Sequence, residues 1–364
     1  MNSNKKKILF VCPYPIGQAP SQRFRFEQYF TILEKNGYQH KIAPFLNEAA
    51  WEVLYHKGAF FRKVLALING FAKRKLLLLK LREYAFIFIH REATPVGPPF
   101  FEWCVKYIWQ KKIIYDFDDA IWLDDPQEKG SLKAWIKWKS KVKYICKWSY
   151  KVSCGNAFLA KFASEYNKNV IINPTTIDTA YHRASMSAKN GKMPTIGWTG
   201  THSTLIYLQP LLVVLEKVLV QYPFRLRIIA NKKPSWHFKT LDFKYWNKNS
   251  EIDDLNEIDI GLMPLTEDNW SRGKCGFKAL QFMALSIPVV ASPVGVNAEI
   301  IPNGGYLAKT MEEWEFFLIK LLENESLRNQ LGEGGRTFIE NNFSVSANTD
   351  TFLSLFDKQK EIFI

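Results

Sequence analysis

The sequence is poor in cysteine and has no long apolar run. It holds five cysteines among 364 residues. None lies in a CxxC pair or near a histidine at metal-ligand spacing, which disfavours a disulfide framework and a zinc site and predicts buried thiols in a reducing compartment. Lys and Arg interrupt the apolar regions 60–82 and 101–115, so neither reaches the roughly 18 residues that a membrane-spanning helix needs. The apolar run after the N-terminal lysines stops at Pro13, too early for a signal peptide, and predicts a first strand.

Acidic residues are also scarce. The chain has 49 Lys and Arg against 35 Asp and Glu, a formal charge of +14. Such a balance favours an anionic partner, which could be nucleotide phosphates, an anionic membrane or nucleic acid. Because 47% of the residues are hydrophobic and the chain is long for one core, we expect two domains.

Short apolar runs alternate with longer helical patterns along the chain, which is typical of α/β domains with parallel sheets and crossover helices. The predicted helices include Gln22–Asn36, Pro99–Gln110, Thr204–Gln221 and Phe277–Leu285. The predicted strands are Ile8–Cys12, His40–Ala43, Ala85–His90, Lys112–Asp116, Lys151–Ser153, Val170–Ile172, Thr195–Trp198, Arg225–Ile229, Ile258–Met263 and Pro288–Ala291.

A polar, small-residue join at Ser185–Pro194 divides this pattern. We therefore predict an N-terminal domain over 1–190, a C-terminal domain over 191–345, and a last helix over 346–364 that packs back on the first domain. Both domains are expected to be doubly wound and Rossmann-like, and to face each other across a cleft. In such open sheets ligands bind outside the carboxyl ends of the strands.

Residues 271–281, SRGKCGFKALQ, place three cations around a helix start. The unpaired N–H groups of a helix start near Gly276 and Phe277 would favour a bound phosphate. Arg272 can fork onto two phosphate oxygens, while Lys274 and Lys278 act as point charges on one helix edge that continues to Gln281. The alternative is a loop with scattered surface lysines, which we discount because the loop leads directly into an apolar helix and strand.

Residues 196–205, IGWTGTHSTL, end a predicted strand with Thr199, Gly200 and Thr201. Glycine lets the backbone approach a ligand, and hydroxyl and N–H groups can hold phosphate oxygens. Taken alone, an ordinary strand-to-helix turn with a Ser or Thr N-cap explains the stretch better. Beside the basic loop of the same domain, it predicts a second wall of a diphosphate site.

Three aspartates, Asp116, Asp118 and Asp119, end another predicted strand in IIYDFDDAIW. Carboxylates this close need a metal, basic neighbours, sugar hydroxyls or a raised pKa. N-caps of a following helix would account for one of them, hardly for three. We therefore take all three as candidate catalytic residues.

The loop PIGQAPSQRFRFEQY, residues 15–29, follows the first strand. Gly17, Ser21, Arg23 and Arg25 are candidates for gripping the phosphate or carboxylate of an acceptor. The two arginines could equally pair with Glu27 and the acidic cluster.

Two stretches, 58–84 and 133–151, interleave basic residues with Trp, Phe, Tyr and Leu. This mixture fits helices that lie on an anionic lipid surface. It also fits helices that bury their aromatic residues and expose lysine. The second stretch has no acidic residue, which favours the membrane surface.

Most of the chain resembles a glycosyltransferase of the GT-B fold, family 4, the "glycosyl transferases group 1" type. The resemblance is carried by ILFVCPYPIGQAPSQRFRFEQY, YDFDDAIW, VIINPTTID, IGWTGTHST, IDIGLMPL and RGKCGFKALQFMALSIPVVASPVGVNAEII. It implies transfer of a sugar from a nucleotide diphosphate donor, UDP- or GDP-linked, to a glycan or lipid-linked acceptor, usually with retention. Together with the basic aromatic stretches, it indicates cytoplasmic synthesis of surface polysaccharide. The cations of the proposed phosphate site would make a metal cofactor unnecessary, and the discrete anion-binding loops argue against nucleic acid as a partner.

The sequence departs from that family at three places. Gly273 and Gln281 stand where the family usually carries two glutamates, and Thr199–Thr201 stand where many members carry Arg and Lys. The usual histidine of the first domain has no counterpart at the acidic strand end. If the enzyme inverts, Asp118 or Asp119 is the natural general base. Because both glutamates are missing, an alternative function stays open, that of a catalytically silent scaffold that binds a nucleotide or a membrane surface.

Overall fold

The computed structural model describes residues 5–54, 58–123, 136–184 and 193–356. The chain splits into two compact units, Met1–Thr175 with Asn348–Ile364, and Thr176–Ala347. The predicted join at Ser185–Pro194 lies outside the described residues except for its last two, and the division falls earlier, between Thr175 and Thr176.

The first unit is built on a six-stranded parallel sheet in the order β2-β1-β3-β4-β5-β6. Residues Ile8 to Cys12 of β1 are all buried, as expected for a parallel strand covered on both faces. The strands are β1 Lys6–Cys12, β2 Tyr38–Pro44, β3 Phe86–His90, β4 Lys112–Phe117, β5 Lys151–Cys154 and β6 Val170–Ile172.

Helices connect these strands. They are α1 Pro20–Arg23, α2 Phe30–Lys35, α3 Glu48–Leu54, α4 Phe60–Leu78, α5 Phe100–Trp103, α6 Lys141–Trp148, α7 Ala157–Ser164 and, from the C-terminal segment, α15 Thr349–Ser354. A π-helical turn, Cys104–Ile108, extends α5. Phe352 of α15 stacks on Tyr29 with ring centroids 4.1 Å apart, which fastens the C-terminal segment to the first unit.

The second unit holds another six-stranded parallel sheet, in the order β12-β11-β10-β7-β8-β9. Its strands are β7 Thr195–Gly200, β8 Arg225–Ala230, β9 Leu241–Tyr245, β10 Ile260–Met263, β11 Val289–Ala291 and β12 Gly305–Leu307. Its helices are α8 Leu212–Gln221, α9 Glu251–Asn256, α10 Asn269–Arg272, α11 Phe277–Ala284, α12 Asn297–Ile300, α13 Met311–Glu323 and α14 Glu325–Asn342.

Two long predicted helices are broken in the structure. The region predicted as Gln22–Asn36 forms α1, a 3-10 turn over Glu27–Tyr29 and then α2. The region predicted as Thr204–Gln221 is 3-10 helical until Leu211 and α-helical only from Leu212. Pro210 explains the second break, because it has no N–H to donate to a preceding turn.

All five cysteines are buried thiols, as predicted. Burial raises the pKa of Cys12 to about 12, which leaves its thiol protonated and unreactive at neutral pH. Across the described stretches, no helix is both long enough and apolar enough to span a bilayer.

Candidate functional site

Each sheet has a point at which the strand order reverses, and ligands of doubly wound sheets bind there. In the second unit the reversal lies between β7 and β10, where β7 ends at Gly200 and the chain after β10 leads to α10 and α11. In the first unit it lies between β1 and β3, where the 13–19 loop and Arg91 follow the strands. The motifs singled out in the sequence lie after these strands or after their neighbours.

The structure brings the two predicted phosphate-binding motifs of the second unit together through Lys278. Its Nζ lies over the ring of Trp198, 5.5 Å from the centroid. A Cβ built on Gly200 would come within 2.8 Å of Lys278 Cε and 2.7 Å of the Trp198 ring. A glycine at position 200 therefore leaves the room in which the lysine stem passes the end of β7.

Lys274 also contacts the segment that follows β7. Its Nζ lies 6.0 Å from the ring centroid of Tyr207 and 5.7 Å from that of Trp270. The ammonium groups of Lys274 and Lys278 thus both lie over aromatic rings, an arrangement that orients them. The result is a positive surface at the reversal point of the sheet.

The start of α11 has the geometry that the sequence predicts. Gly276 is its N-cap and adopts a left-handed φ of 69°, where a side chain would be strained and would meet Ile300 Cδ1 at 2.9 Å. Phe277 is the first helical residue, so its N–H belongs to the turn that lacks intrahelical acceptors. Arg272 lies at the end of α10, half exposed, and donates from Nε to Glu267 Oε1 at 2.6 Å.

The structure places Gln281 in the interior of the second unit, rather than on the open helix edge predicted for donor binding. Its side chain is 1% exposed. Its Nε2 donates to Glu251 Oε1 at 3.3 Å, and lies 3.4 Å from His182 Nε2. This buried amide braces α11 against α9, because the second turn of α11 faces the core.

The residues after β7 form a polar turn. Thr199 is buried and Gly200 half-buried, whereas Thr201 is exposed, with its Oγ1 2.9 Å from Ser203 Oγ. The backbone N–H of His202 donates to Asn231 Oδ1 at 2.8 Å. Thr201 therefore offers a hydroxyl at the surface, while Thr199 and Gly200 contribute chiefly backbone.

In the first unit, Asp116 and Arg25 form a buried ion pair, and neither presents a group to solvent. Ser153 Oγ donates to Asp116 Oδ1 at 2.6 Å, and His90 Nδ1 lies 2.7 Å from Oδ2. Burial alone would raise the pKa of Asp116, but Arg25 and His90 outweigh it and hold that pKa well below its usual range. Asp116 and Arg25, predicted as a catalytic and an acceptor-binding residue, are thus engaged with each other in the interior of the first unit, where the pair links the segment after α1 to β4.

Asp118 and Asp119 are bridged by one arginine. Arg91 donates from Nε to Asp118 Oδ1 at 2.7 Å and from Nη2 to Asp119 Oδ2 at 2.8 Å. Burial would raise the pKa of Asp118, but Arg91, supported by His90 and Arg25, lowers it. The structure thus shows a basic neighbour, one of the alternatives left open by the sequence, beside both aspartates.

The predicted acceptor loop is braced from inside. Gly17, at a left-handed φ of 77°, donates its N–H to Glu27 Oε2 at 2.8 Å. Gln22 Oε1 accepts a hydrogen bond from the Tyr14 N–H at 2.9 Å, and Gln22 Nε2 donates to the Tyr14 carbonyl at 2.9 Å. Ser21 is half-buried and Arg23 buried, with its guanidinium 4.9 Å from the Phe24 ring centroid.

Sequence reasoning missed the aromatic supports of the lysines and the bridging role of Arg91. The signal for Arg91 was weak, because a single arginine after β3 resembles any surface residue. Its left-handed φ of 59°, uncommon outside glycine and asparagine, aims it at the neighbouring strand end.

Solved structures share this fold over nearly the whole chain. A sucrose-phosphate synthase from Thermosynechococcus elongatus superposes with a TM-score of 0.68 at 13% identity, covering 96% of this chain and 98% of that chain. A glycosyltransferase from Rickettsia africae gives 0.68 at 14% identity over 97% and 98%. HepE from Anabaena, in complex with UDP-glucose, gives 0.65 at 12% identity over 96% and 99%.

No protein-family profile matches the chain, and no curated protein matches it in sequence. At these identities the likeness establishes the fold alone. The predicted GT-B fold, an α/β fold of two domains with a parallel sheet in each, is confirmed.

Proposed function

We propose that the protein is a nucleotide-sugar-dependent glycosyltransferase of the family 4 type. The observation that carries the proposal is the convergence of Lys274, Lys278 and the start of α11 on the end of β7, at the reversal point of the sheet. A diphosphate is the ligand that such a set of cations and N–H groups favours. HepE, which shares the fold and is in complex with UDP-glucose, supports a UDP-linked donor.

The proposed roles follow from charge development. As the bond between the anomeric carbon and the diphosphate of the donor breaks, negative charge accumulates on the departing diphosphate. Lys274, Lys278 and the N–H groups near Gly276 and Phe277 stabilise this charge. Arg272 lies next to this group, although Glu267 already neutralises part of its charge. Thr199, Gly200 and Thr201 form the opposite wall of the donor site.

The proposal includes retention at the anomeric carbon. In that reaction the departing phosphate takes the acceptor proton, and no carboxylate base is required. An inverting reaction would need a base near neutral pKa, whereas Arg91 lowers the pKa of Asp118 and engages Asp119. We assign Asp118 and Asp119, which Arg91 bridges, the role of positioning hydroxyl groups of a glycan or lipid-linked acceptor. Gly17, Ser21 and Arg23 are assigned to binding the same acceptor. The proposed pathway is the cytoplasmic synthesis of surface polysaccharide.

A thermal-shift screen with UDP, GDP, ADP and dTDP and their sugars tests the donor class. We expect one nucleotide to raise the melting temperature, because binding to the folded state stabilises it by mass action. Lys274→Ala is expected to abolish the shift, and Arg272→Ala to reduce it less, since Arg272 is already paired. The absence of a shift from all four nucleotides, in well-folded protein, would contradict the phosphate site.

We also propose that transfer needs no metal, since lysines and helix N–H groups supply the positive charge that a divalent cation would otherwise bring. Release of nucleoside diphosphate from the donor is therefore expected to be unchanged by EDTA. The measurement compares EDTA-treated enzyme with the same enzyme after addition of excess Mg²⁺ or Mn²⁺. A rate that collapses in EDTA and returns with either cation would disprove metal independence.

A catalytically silent scaffold is the second candidate, and a specific observation favours it. Gly273 brings no side chain, and the buried Gln281 is engaged with Glu251, so neither position supplies the carboxylates common in the family. A silent scaffold would give the nucleotide-specific thermal shift without any release of nucleoside diphosphate over hours. Measurable release that Lys274→Ala removes would exclude it.

A further inference from the structure

Helix α4 of the first unit, together with its C-cap residue Leu79, carries an apolar stripe on its exposed face. Phe61, Leu65, Ile68, Leu76 and Leu79 follow the three- and four-residue spacing that places side chains on one side of a helix. Their exposed fractions are 81%, 58%, 57%, 61% and 72%. At about 1.5 Å of rise per residue the stripe is roughly 27 Å long. A face of this size is unusual on the surface of a soluble domain and indicates an interaction site.

Contacts on the opposite face of α4 keep this stripe turned towards solvent. Arg74 is buried and donates to three backbone carbonyls of the first unit, those of Ala93 at 2.7 Å, Ala43 at 2.9 Å and Cys12 at 2.9 Å. Gly70 packs so closely on the Phe45 ring that an added Cβ would lie 2.4 Å from it. Because both contacts hold α4 on the strand ends, the stripe cannot turn inward without breaking them.

The charges around the stripe have one sign. From Gly58 to Arg82 the sequence contains no Asp or Glu, and Arg62, Lys73, Lys75 and Lys80 are exposed. An apolar face rimmed by cations is complementary to an anionic lipid surface, where the side chains enter the acyl boundary and the lysines meet the phosphates. A protein partner's helix would need an acidic rim to match.

A second surface of the first unit has the same chemistry. Phe100, Trp103, Tyr107, Trp148 and Tyr144 form an aromatic ladder, with successive ring centroids 6.2, 5.8, 5.9 and 6.0 Å apart. Lys106 and Lys147, which precede Tyr107 and Trp148 in the chain, are exposed. Tryptophan and tyrosine favour the headgroup region of a bilayer, because their rings are apolar and their tips polar.

The helices that carry these two surfaces are both hydrogen-bonded to the loop after β3. Arg74 of α4 donates to the Ala93 carbonyl, while Lys141 at the start of α6 donates to the Thr94 carbonyl at 2.7 Å and pairs with Glu92. We propose that the α4 stripe and the aromatic ladder dock the first unit on an anionic bilayer. This inference does not depend on the proposed function, although a membrane-bound enzyme would be well placed to meet a lipid-linked acceptor.

Flotation of the full chain with vesicles of phosphatidylglycerol and phosphatidylcholine tests the proposal. We expect binding to mixed vesicles and little to pure phosphatidylcholine. The double variant L65E/I68E is expected to bind roughly tenfold more weakly or worse, since two apolar anchors become anionic. The matched control is V213E/V220E on α8 of the second unit, where the replaced side chains are 74% and 87% exposed; it makes the same change in net charge and should bind like the wild type.

Two further measurements keep the outcome unambiguous. Both double variants should melt at the wild-type temperature and keep the nucleotide-dependent thermal shift, so a failure of donor binding would not be mistaken for a failure of docking. The proposal would be overturned if the wild type bound pure phosphatidylcholine vesicles but not the mixed ones. It would also be overturned if both double variants lost vesicle binding to the same extent. A wild-type dimer in light scattering that L65E/I68E converts to monomer would also overturn it, in favour of a second copy of the chain as the occupant.

Discussion

Asp116→Ala is expected to lower the free energy of unfolding of the first unit by about 3–5 kcal/mol, the typical cost of leaving a buried charge without its partner. The substitution removes the carboxylate from the buried Arg25 guanidinium and from the hydroxyl of Ser153. Urea denaturation followed by tryptophan fluorescence, with the transition of each unit fitted separately, measures the loss. The second unit's transition should be unaffected.

The double variant R25M/D116L separates a charge effect from a packing effect. Replacing both members of a buried ion pair by apolar residues is often close to neutral, so we expect the double variant to be more stable than Asp116→Ala alone. Equal or greater destabilisation in the double variant would contradict the ion-pair interpretation and would point to a packing role for these side chains.

The same pair predicts the response to acid. The folded-state pKa of Asp116 lies below its unfolded value, so the carboxylate contributes stability that is fully present above the unfolded pKa of about 4 and is lost as pH falls through the folded value. Asp118 acts in the same direction. The wild type should therefore lose stability below about pH 4 more steeply than Asp116→Asn, which has no carboxylate to protonate at this position.

The sequence predicts the elements that are apolar over a continuous run and misses those that are not. The sequence predicts the end of helix α11 within one residue, and every residue from Ala279 to Ala284 is buried in the structure. Strand β9 escaped prediction because LDFKY lies at the sheet edge with every residue partly exposed. Strand β12 escaped because three residues, Gly305–Leu307, give no measurable periodicity.

The candidate site shows the same limit. Lys274 and Lys278 could be selected from their spacing around a helix start, which is a local property. The aromatic rings beneath them, Trp198 and Tyr207, could not be selected from the sequence. The lysines contact these rings only because β7 and β10 are neighbours in the sheet. The burial of Asp116 depends likewise on Arg25, 91 residues away in the chain.

Lys278→Met is expected to reduce the rate at which nucleoside diphosphate leaves the donor by about 10²–10³-fold, the usual cost of removing one group that stabilises charge in a transition state. Methionine keeps most of the stem that lies beside Gly200 and Trp198, so the loss reports on the ammonium charge. The assay follows diphosphate release from the donor selected by the thermal screen.

Lys320→Met is the matched control. Lys320 also holds its Nζ over an aromatic ring of the second unit, 4.9 Å from the centroid of Tyr306, but lies on α13 and has no proposed role. The same chemical change there should leave the rate within about twofold, since surface substitutions away from special features have small effects.

Gly200→Ala tests the same site without removing a charge. The added methyl group would overlap Lys278 Cε and the Trp198 ring, at 2.8 and 2.7 Å, and must displace the ammonium from its position. Because a displacement of about 1 Å in a positioned group can cost around 10²-fold in rate, Gly200→Ala should lower the rate together with the nucleotide-dependent thermal shift. Wild-type rates in both Gly200→Ala and Lys278→Met would show that the charge at the end of β7 serves a purpose other than holding a diphosphate.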